Sequence, residues 1–307
     1  MNDKKYAIFL GCTVPIKGLN YEQSARNVIK NLGVELVDIP DFACCGFPVT
    51  NLHHLTATTL AARNLALAEA NGLNILTLCS ACAGELTRVQ KLLASKQGAK
   101  ELSQVNAVLN EVGHHYKGSI TVKHIGRFLL EEIGLKRLQE AITHPLKGIN
   151  IAPHYGCHCI RPTEIFDWFD DPIRPEHLDK LIELTGATSV QYKDKMQCCG
   201  GGILAFEEET PTKMVKQKLD HIKEAHADAM TLVCPTCDIM YDEYQPTVET
   251  KFCSEYKIPV LFYPQLLGLA MGLDPKKDLA VRKNVVRVNP LLEKIERLRS
   301  GSDLYAE

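Results

Sequence analysis

The sequence predicts an α/β protein of two tandem, pseudo-symmetric Rossmann-like domains, each with a parallel sheet and with cysteines gathered at the carboxyl ends of its strands. Three observations carry this. Short apolar runs alternate with segments of helical periodicity, the same order of segments occurs twice, and cysteines follow the apolar runs in both copies.

In the first copy, residues 5–10 form an apolar run closed by Gly11 and Cys12, which reads as a strand. Ala25, Val28, Ile29 and Leu32 then recur at helical spacing up to Gly33, a suitable helix stop. Residues 34–39, apolar at alternate positions, predict the second strand, and Cys44-Cys45-Gly46 follows it. Residues 55–70 predict a helix, with Leu60, Leu65 and Ala68 on one side and Gly72 just beyond its end. The short buried strand 73–78 then delivers Cys79-Ser-Ala-Cys82.

The second copy starts after the turn-rich stretch 143–148. Residues 149–155 predict a strand ending in Gly156 and Cys157, residues 178–184 a helix stopping at Gly186, and residues 187–192 the next strand, which leads to Cys198-Cys199-Gly200. A helix over 214–229 and a strand over 230–233 bring in Cys234-Pro-Thr-Cys237. The domain boundaries expected from this pattern are 1–145, 146–275 and a charged C-terminal tail, 276–307, with a helical stretch at 291–298.

The interval from the second cysteine of the pair to the next motif is 34 residues in one copy and 35 in the other, which marks a duplication. The first cysteines are less regular. Cys12 precedes Cys44 by 32 residues and Cys157 precedes Cys198 by 41, the difference lying around residues 161–175, which hold the one tryptophan, Trp168. Right-handed crossovers place every strand's carboxyl end on one edge of a parallel sheet, so cysteines spread over some 70 residues converge on one rim.

Composition narrows the function class. At 307 residues and 45% hydrophobic content the chain can build two cores, and a formal charge of −2 gives no overall field that favours nucleic acid or an anionic membrane. The N-terminal apolar run is too short for a signal peptide, and the run 260–273 is broken by Pro264 and falls short of the roughly 20 residues a bilayer requires. The expectation is a soluble, cytoplasmic protein. In a reducing compartment, twelve cysteines point to metal binding or redox chemistry rather than disulfides.

Five cysteines per copy exceed the four thiolates of a closed zinc site, and the adjacent pair Cys44-Cys45 chelates one ion poorly. A cluster of several irons uses neighbouring sulfurs more naturally. A zinc scaffold is the rival from another class, and a dithiol reading of Cys79/Cys82 or Cys234/Cys237 leaves three cysteines of each copy idle.

The run Cys12, Cys44-Cys45-Gly46, Cys79-x-x-Cys82, repeated as Cys157, Cys198-Cys199-Gly200, Cys234-x-x-Cys237, resembles the duplicated CCG domain of the B subunit of heterodisulfide reductase. The resemblance extends to about residue 275. It implies two non-cubane 4Fe-4S clusters, each held by all five cysteines of its copy and facing a shared cavity, where the mixed disulfide of coenzyme M and coenzyme B is cleaved in methanogenesis. It also implies two partners, a ferredoxin-like C subunit and a flavin-containing A subunit. Related CCG proteins serve lactate and glycolate oxidation and thiol-dependent fumarate reduction, so the alternative is an electron-transfer subunit of a hydroxyacid oxidoreductase. Several of those relatives carry a fused ferredoxin-like C-x-x-C-x-x-C-x-x-x-C-P segment, which this sequence lacks.

Some residues lie outside the two sets. Cys157 is preferred to Cys159 as a ligand because it follows a glycine as Cys12 does, and Cys253 is expected to be a small buried hydrophobe. His154 and His158 flank Cys157 and are candidates to hydrogen-bond a cluster sulfide or a departing thiolate, with a loop histidine as the plain alternative. His53, His54, His114 and His115 are expected at polar surface positions. Among Lys17, Arg26, Lys123, Arg127 and Arg161, near predicted strand ends or cluster loops, Lys123 and Arg161 are the first candidates to bind an anionic substrate. Gly46 and Gly200-Gly201-Gly202 suit a close approach of backbone to a cluster or an ordinary tight turn.

Overall fold

A computed structural model of the chain describes residues 4–300. Two four-stranded sheets, both entirely parallel, share one topology: β2-β1-β3-β4 in the first half and β6-β5-β7-β8 in the second. The strands are β1 Lys5–Phe9, β2 Glu35–Val37, β3 Asn74–Thr77, β4 Val122–His124, β5 Asn150–His154, β6 Thr188–Ser189, β7 Ala229–Leu232 and β8 Val260–Phe262. In each sheet the central pair is the longest, Tyr6 to Phe9 aligning with Asn74 to Thr77 and Ile151 to His154 with Ala229 to Leu232. Apolar side chains on both faces of these strands satisfy the need of a parallel sheet to be covered on both sides.

Helices Leu19–Asn31, His54–Ala70 and Ser80–Ala94 cover the first sheet; His177–Leu184, Glu209–Glu224 and Tyr263–Ala270 cover the second. The expected strand over 187–192 is only two residues long, and the helix expected over 214–229 runs Glu209–Glu224, Ala229 opening β7 instead. Pro264, read as a break in the apolar run 260–273, sits in the first turn of the helix after β8, where its missing N–H is no loss. Strands β4 and β8 carried no prediction, being three residues each.

One hydrophobic core runs through both halves, and a second belongs to the first half alone. Tyr21 stacks on Phe262 with ring centroids 3.9 Å apart, and its hydroxyl donates to the Val233 carbonyl at 3.1 Å. Asn20, Gln265 and Asn284 form a buried amide network between the halves. The helix Asn289–Ser300 packs back on the body, burying Leu291 and Ile295 and pairing Lys294 with Asp228 at 2.6 Å. Among the described residues no helix is long and apolar enough to cross a membrane.

Candidate metal centre

Cysteines follow the first three strands of each sheet at its carboxyl edge: Cys12 after β1, the Cys44-Cys45 pair after β2 and Cys79 after β3, with Cys157, the Cys198-Cys199 pair and Cys234 in the matching places. Cys79 and Cys234 are the N-caps of the helices Ser80–Ala94 and Pro235–Asp238, so Cys82 and Cys237 lie in the first helical turn beside them. Thiol neighbours then link in one string. Cys12 meets Cys44, Cys44 meets Cys45, Cys45 meets Cys82 and Cys82 meets Cys79; across the halves Cys79 meets Cys234, which continues through Cys237, Cys199 and Cys198 to Cys157. All ten lie on it.

Six thiols in the middle of the string are buried, whereas Cys12 and Cys198 are exposed and Cys44 and Cys157 half-buried. Neighbouring S–H groups that donate to them hold Cys45 and Cys234 below the ordinary thiol range and push Cys198 down to about 2. Their donors resist losing the proton: Cys79, Cys82, Cys157 and Cys237 are pushed up, and Cys199 rises to about 12.

The backbone supplies further donors in the same pattern in both halves. Amides of Gly46 and Phe47 donate to Cys44 and Cys45, and those of Gly200 and Gly201 to Cys198 and Cys199 at 3.4 Å. Gly46 and Gly200 hold φ of 93° and 78°, and a Cβ there would lie 2.6 Å from the Ala57 carbonyl oxygen or 2.7 Å from the Pro211 Cβ. These turns therefore need glycine both for conformation and for space.

His154 ends β5, fully buried, with its ring 4.7 Å from that of Tyr241. Its Nδ1 faces the Lys218 ammonium at 3.1 Å, so Nδ1 accepts and Nε2 carries the hydrogen; Nε2 is buried with no partner. Burial, then the Lys218 charge, hold this imidazole neutral, its pKa well below the usual value. His158 is exposed and lies edge-on to Phe47 of the first half, 4.8 Å between rings.

Arg161 donates to the Pro172 carbonyl at 2.7 Å and lies near enough to Cys157 to favour its thiolate. Lys123 does not join the site. Its ammonium is held by Glu131 at 2.8 Å and by Glu132, which also binds Lys4 at the amino end of β1, the edge opposite the cysteines. Position near a predicted strand end or cluster loop suggested Lys123; the turn of its side chain toward that acidic pair removes it. Lys17, Arg26 and Arg127 are likewise ion-paired, with Glu243, Glu22 and Glu131.

Cys159 is buried and donates to the Gly156 carbonyl at 2.9 Å, off the string. Cys253 is exposed, contrary to the buried hydrophobe expected: it caps the helix Gln245–Phe252 in a left-handed conformation, φ 49°, past the face that packs inward. His53 caps the helix His54–Ala70, its Nδ1 accepting from the Thr56 amide at 3.2 Å.

Sequence reading missed Lys218. It is fully buried in the helix Glu209–Glu224, donating to the carbonyls of Lys195 and Gln197 at 2.9 Å each. The signal was present: Lys218 falls on the helical face of Val215 and Ile222, three residues after one and four before the other. Burial lowers its pKa to about 8 while the neighbouring Cys237, Cys199, Cys157 and Cys198 oppose that shift.

The donor set fits iron-sulfur clusters. Each copy offers five neighbouring sulfurs, backbone N–H groups directed at the Cys-Cys pairs, and in the second copy an orphaned, buried imidazole N–H. Among the described residues no three His, Cys, Asp or Glu side chains gather as a single-ion site. A surface cleft bounded by Arg174, Asp179 and Lys195 contains none of the ten cysteines.

Fold and thiols together define a duplicated cysteine-rich α/β protein built to hold iron and sulfur. Residues 6–87 and 151–242 each match the CCG cysteine-rich domain. The chain is 37% identical, over 97% of its length and 99% of the relative's, to the B subunit of the ferredoxin/F420H2-dependent CoB-CoM heterodisulfide reductase of Methanosarcina acetivorans. It is 30% identical, over 94% of its length and 99% of the relative's, to the 8-methylmenaquinol:fumarate reductase membrane anchor subunit of Wolinella succinogenes. The chain belongs to the family of heterodisulfide reductase B subunits, whose CCG domain is duplicated. A crystal structure of a hypothetical protein from Helicobacter pylori shares the fold, with a TM-score of 0.74 at 16% identity over 94% of this chain and 53% of that one.

Proposed function

We propose that this protein is the catalytic iron-sulfur subunit of a cytoplasmic heterodisulfide reductase, reducing the mixed disulfide of coenzyme M and coenzyme B to two thiols between two non-cubane 4Fe-4S clusters. The meeting of Cys79 with Cys234 carries the reading: it joins the two five-thiol sets into one string with an open mouth at either end, Cys12/Cys44 and Cys157/Cys198. Residues 1–145 and 146–275 are then the two cluster domains, with 276–307 as the tail. When bound, the clusters supply single electrons and iron sites for sulfur.

The chain's own residues have distinct tasks in this reading. Each set of five cysteines holds one cluster, and the N–H groups of Gly46, Phe47, Gly200 and Gly201 bear part of its negative charge. His154 offers its unpaired Nε2–H within the second site. Arg161, beside Cys157, and His158, exposed at the crossing of the halves, are the candidates to orient an anionic substrate at the mouths. Electrons arrive through a ferredoxin-like C subunit from a flavin-containing A subunit.

A second reading, an electron-transfer subunit without disulfide chemistry, draws on the relationship to the Wolinella fumarate reductase subunit. The hydroxyacid oxidoreductase alternative falls in the same class. Anaerobic purification of the native complex distinguishes them. The proposal expects about eight irons and eight acid-labile sulfides per chain, co-purifying C and A subunits, and turnover of the CoM-CoB disulfide. One zinc per half would end the cluster reading; full clusters with no disulfide turnover would leave the electron-transfer reading.

A further inference from the structure

The two sulfur sites match in backbone but differ in charge, and the difference lies at repeat-related positions. Lys218 and Asn64 each stand 20 residues beyond the first cysteine of their pair, and both are fully buried in the helix that follows it. Both tether the residue just before the pair. Asn64 accepts from the Ala43 amide at 2.9 Å and donates to the Cys44 carbonyl at 3.1 Å; Lys218 donates to the Gln197 carbonyl at 2.9 Å. The neutral amide shows that the fold needs only hydrogen bonds here. An ammonium in the second copy adds a charge that the architecture does not require.

Other repeat-related pairs differ as well. Four residues beyond the leading cysteine stand Ile16 and Arg161; three beyond the C-x-x-C motif stand Glu85 and Met240. Glu85 is buried and paired with Arg88 at 2.6 Å, which offsets its charge, while Arg161 lies beside Cys157. Asp238, one residue beyond Cys237, is buried where the first copy has Ala83. At Lys218 and Arg161 the second site carries basic side chains where the first has Asn64 and Ile16. Fixed charge at low dielectric is among the strongest determinants of an iron-sulfur potential, because reduction adds a negative charge to the cluster.

We propose that Lys218 makes the two sites unequal electron acceptors, so that the site of Cys157, Cys198, Cys199, Cys234 and Cys237 takes the first electron from a one-electron donor and its repeat-related counterpart takes the second. The inference rests on the two-cluster part of the proposed function and is independent of the disulfide substrate. Each transfer adds one electron to iron and breaks no bond. Lys218 is a positioning residue in this role, acting on the site through its charge.

The test is a mediated dithionite titration, followed by electron paramagnetic resonance, of the full chain reconstituted anaerobically with iron and sulfide. Cys44→Ala and Cys198→Ala backgrounds assign each signal to its site. Lys218→Met in the Cys44→Ala background should lower the reduced-to-oxidised ratio of the second site at fixed potential at least tenfold, about 59 mV for a one-electron couple. Lys218→Arg should restore it, and Lys218→Met in the Cys198→Ala background should leave the first site unmoved. An unshifted second site, an equal shift in both sites, or loss of the second cluster in Lys218→Met would overturn the proposal, the last by making Lys218 a structural tether. Failure of the wild-type chain to take up iron and sulfide in either half would overturn the proposed function itself and this inference with it.

Discussion

Gly156 should be indispensable because it lies where the halves close around the middle of the thiol string. Its backbone, φ −72° and ψ 121°, is open to any residue, so only space demands glycine there. An added Cβ would lie 2.0 Å from the Ser80 Oγ, 2.8 Å from the Ser80 Cβ and 3.4 Å from the Cys234 Cβ. Rotation of the serine hydroxyl relieves the first clash but not the second, since the Ser80 Cβ is fixed to its helix. Gly156→Ala must then push the helix Ser80–Ala94 away from the loop that holds Cys157, parting Cys79 from Cys234. Overpacking of this kind costs about 1–3 kcal/mol, roughly five- to 150-fold in the folding equilibrium. Urea unfolding of the purified chain should register that loss, and disulfide turnover should fall with it. Ser80→Gly in the Gly156→Ala background removes both clashing atoms and should recover much of the stability as a coupling between the two sites. Gly156→Ala with wild-type stability, or a penalty untouched by Ser80→Gly, would refute this account of how the halves are joined.

Cys44→Ala and Cys198→Ala, each disabling one site, should each abolish disulfide turnover almost completely, with the double variant hardly worse, because groups that act as one unit are not additive; spectroscopy must first verify the surviving cluster. Cys157→Ser should erase the second cluster's spectrum while Cys159→Ser, off the string, leaves it nearly intact; the reverse outcome would move the ligand by two residues. The isolated chain should be reduced slowly by physiological donors and rapidly once a ferredoxin-like partner is added, as stopped-flow absorbance would register. His124, buried with its Nε2 on the Val233 carbonyl at 3.0 Å, has its pKa pushed by burial from 6.5 down to about 4. Since the unfolded chain binds the proton first, the stability His124 contributes is present above pH 6.5 and is lost as pH falls toward 4, about 3 kcal/mol in all. His124→Gln should flatten the urea midpoint across that window, and an unchanged pH slope would show that other groups set it.

The duplication, the parallel α/β class and the arrival of cysteines at strand ends were legible in sequence because each is local. Apolar periodicity reports which side of an element is buried, glycine marks where a turn closes, and the equal spacing from the Cys-Cys pair to C-x-x-C repeats one crossover unit. The weakest elements escaped. Strands β4 and β8 are three residues long and owe their existence to neighbours already in place, and β6 shrank to two residues where a strand over 187–192 was expected. Side-chain direction escaped as well. Lys123 sits on a strand of the right sheet yet turns to Glu131 and Glu132, and Cys253 was expected inside yet caps a helix in solvent. What only the tertiary structure decided is the join, Cys79 against Cys234, 155 residues apart. That join depends on how the helices and loops of two finished domains pack against each other, and a pairing between distant elements leaves no periodicity in the chain that makes it.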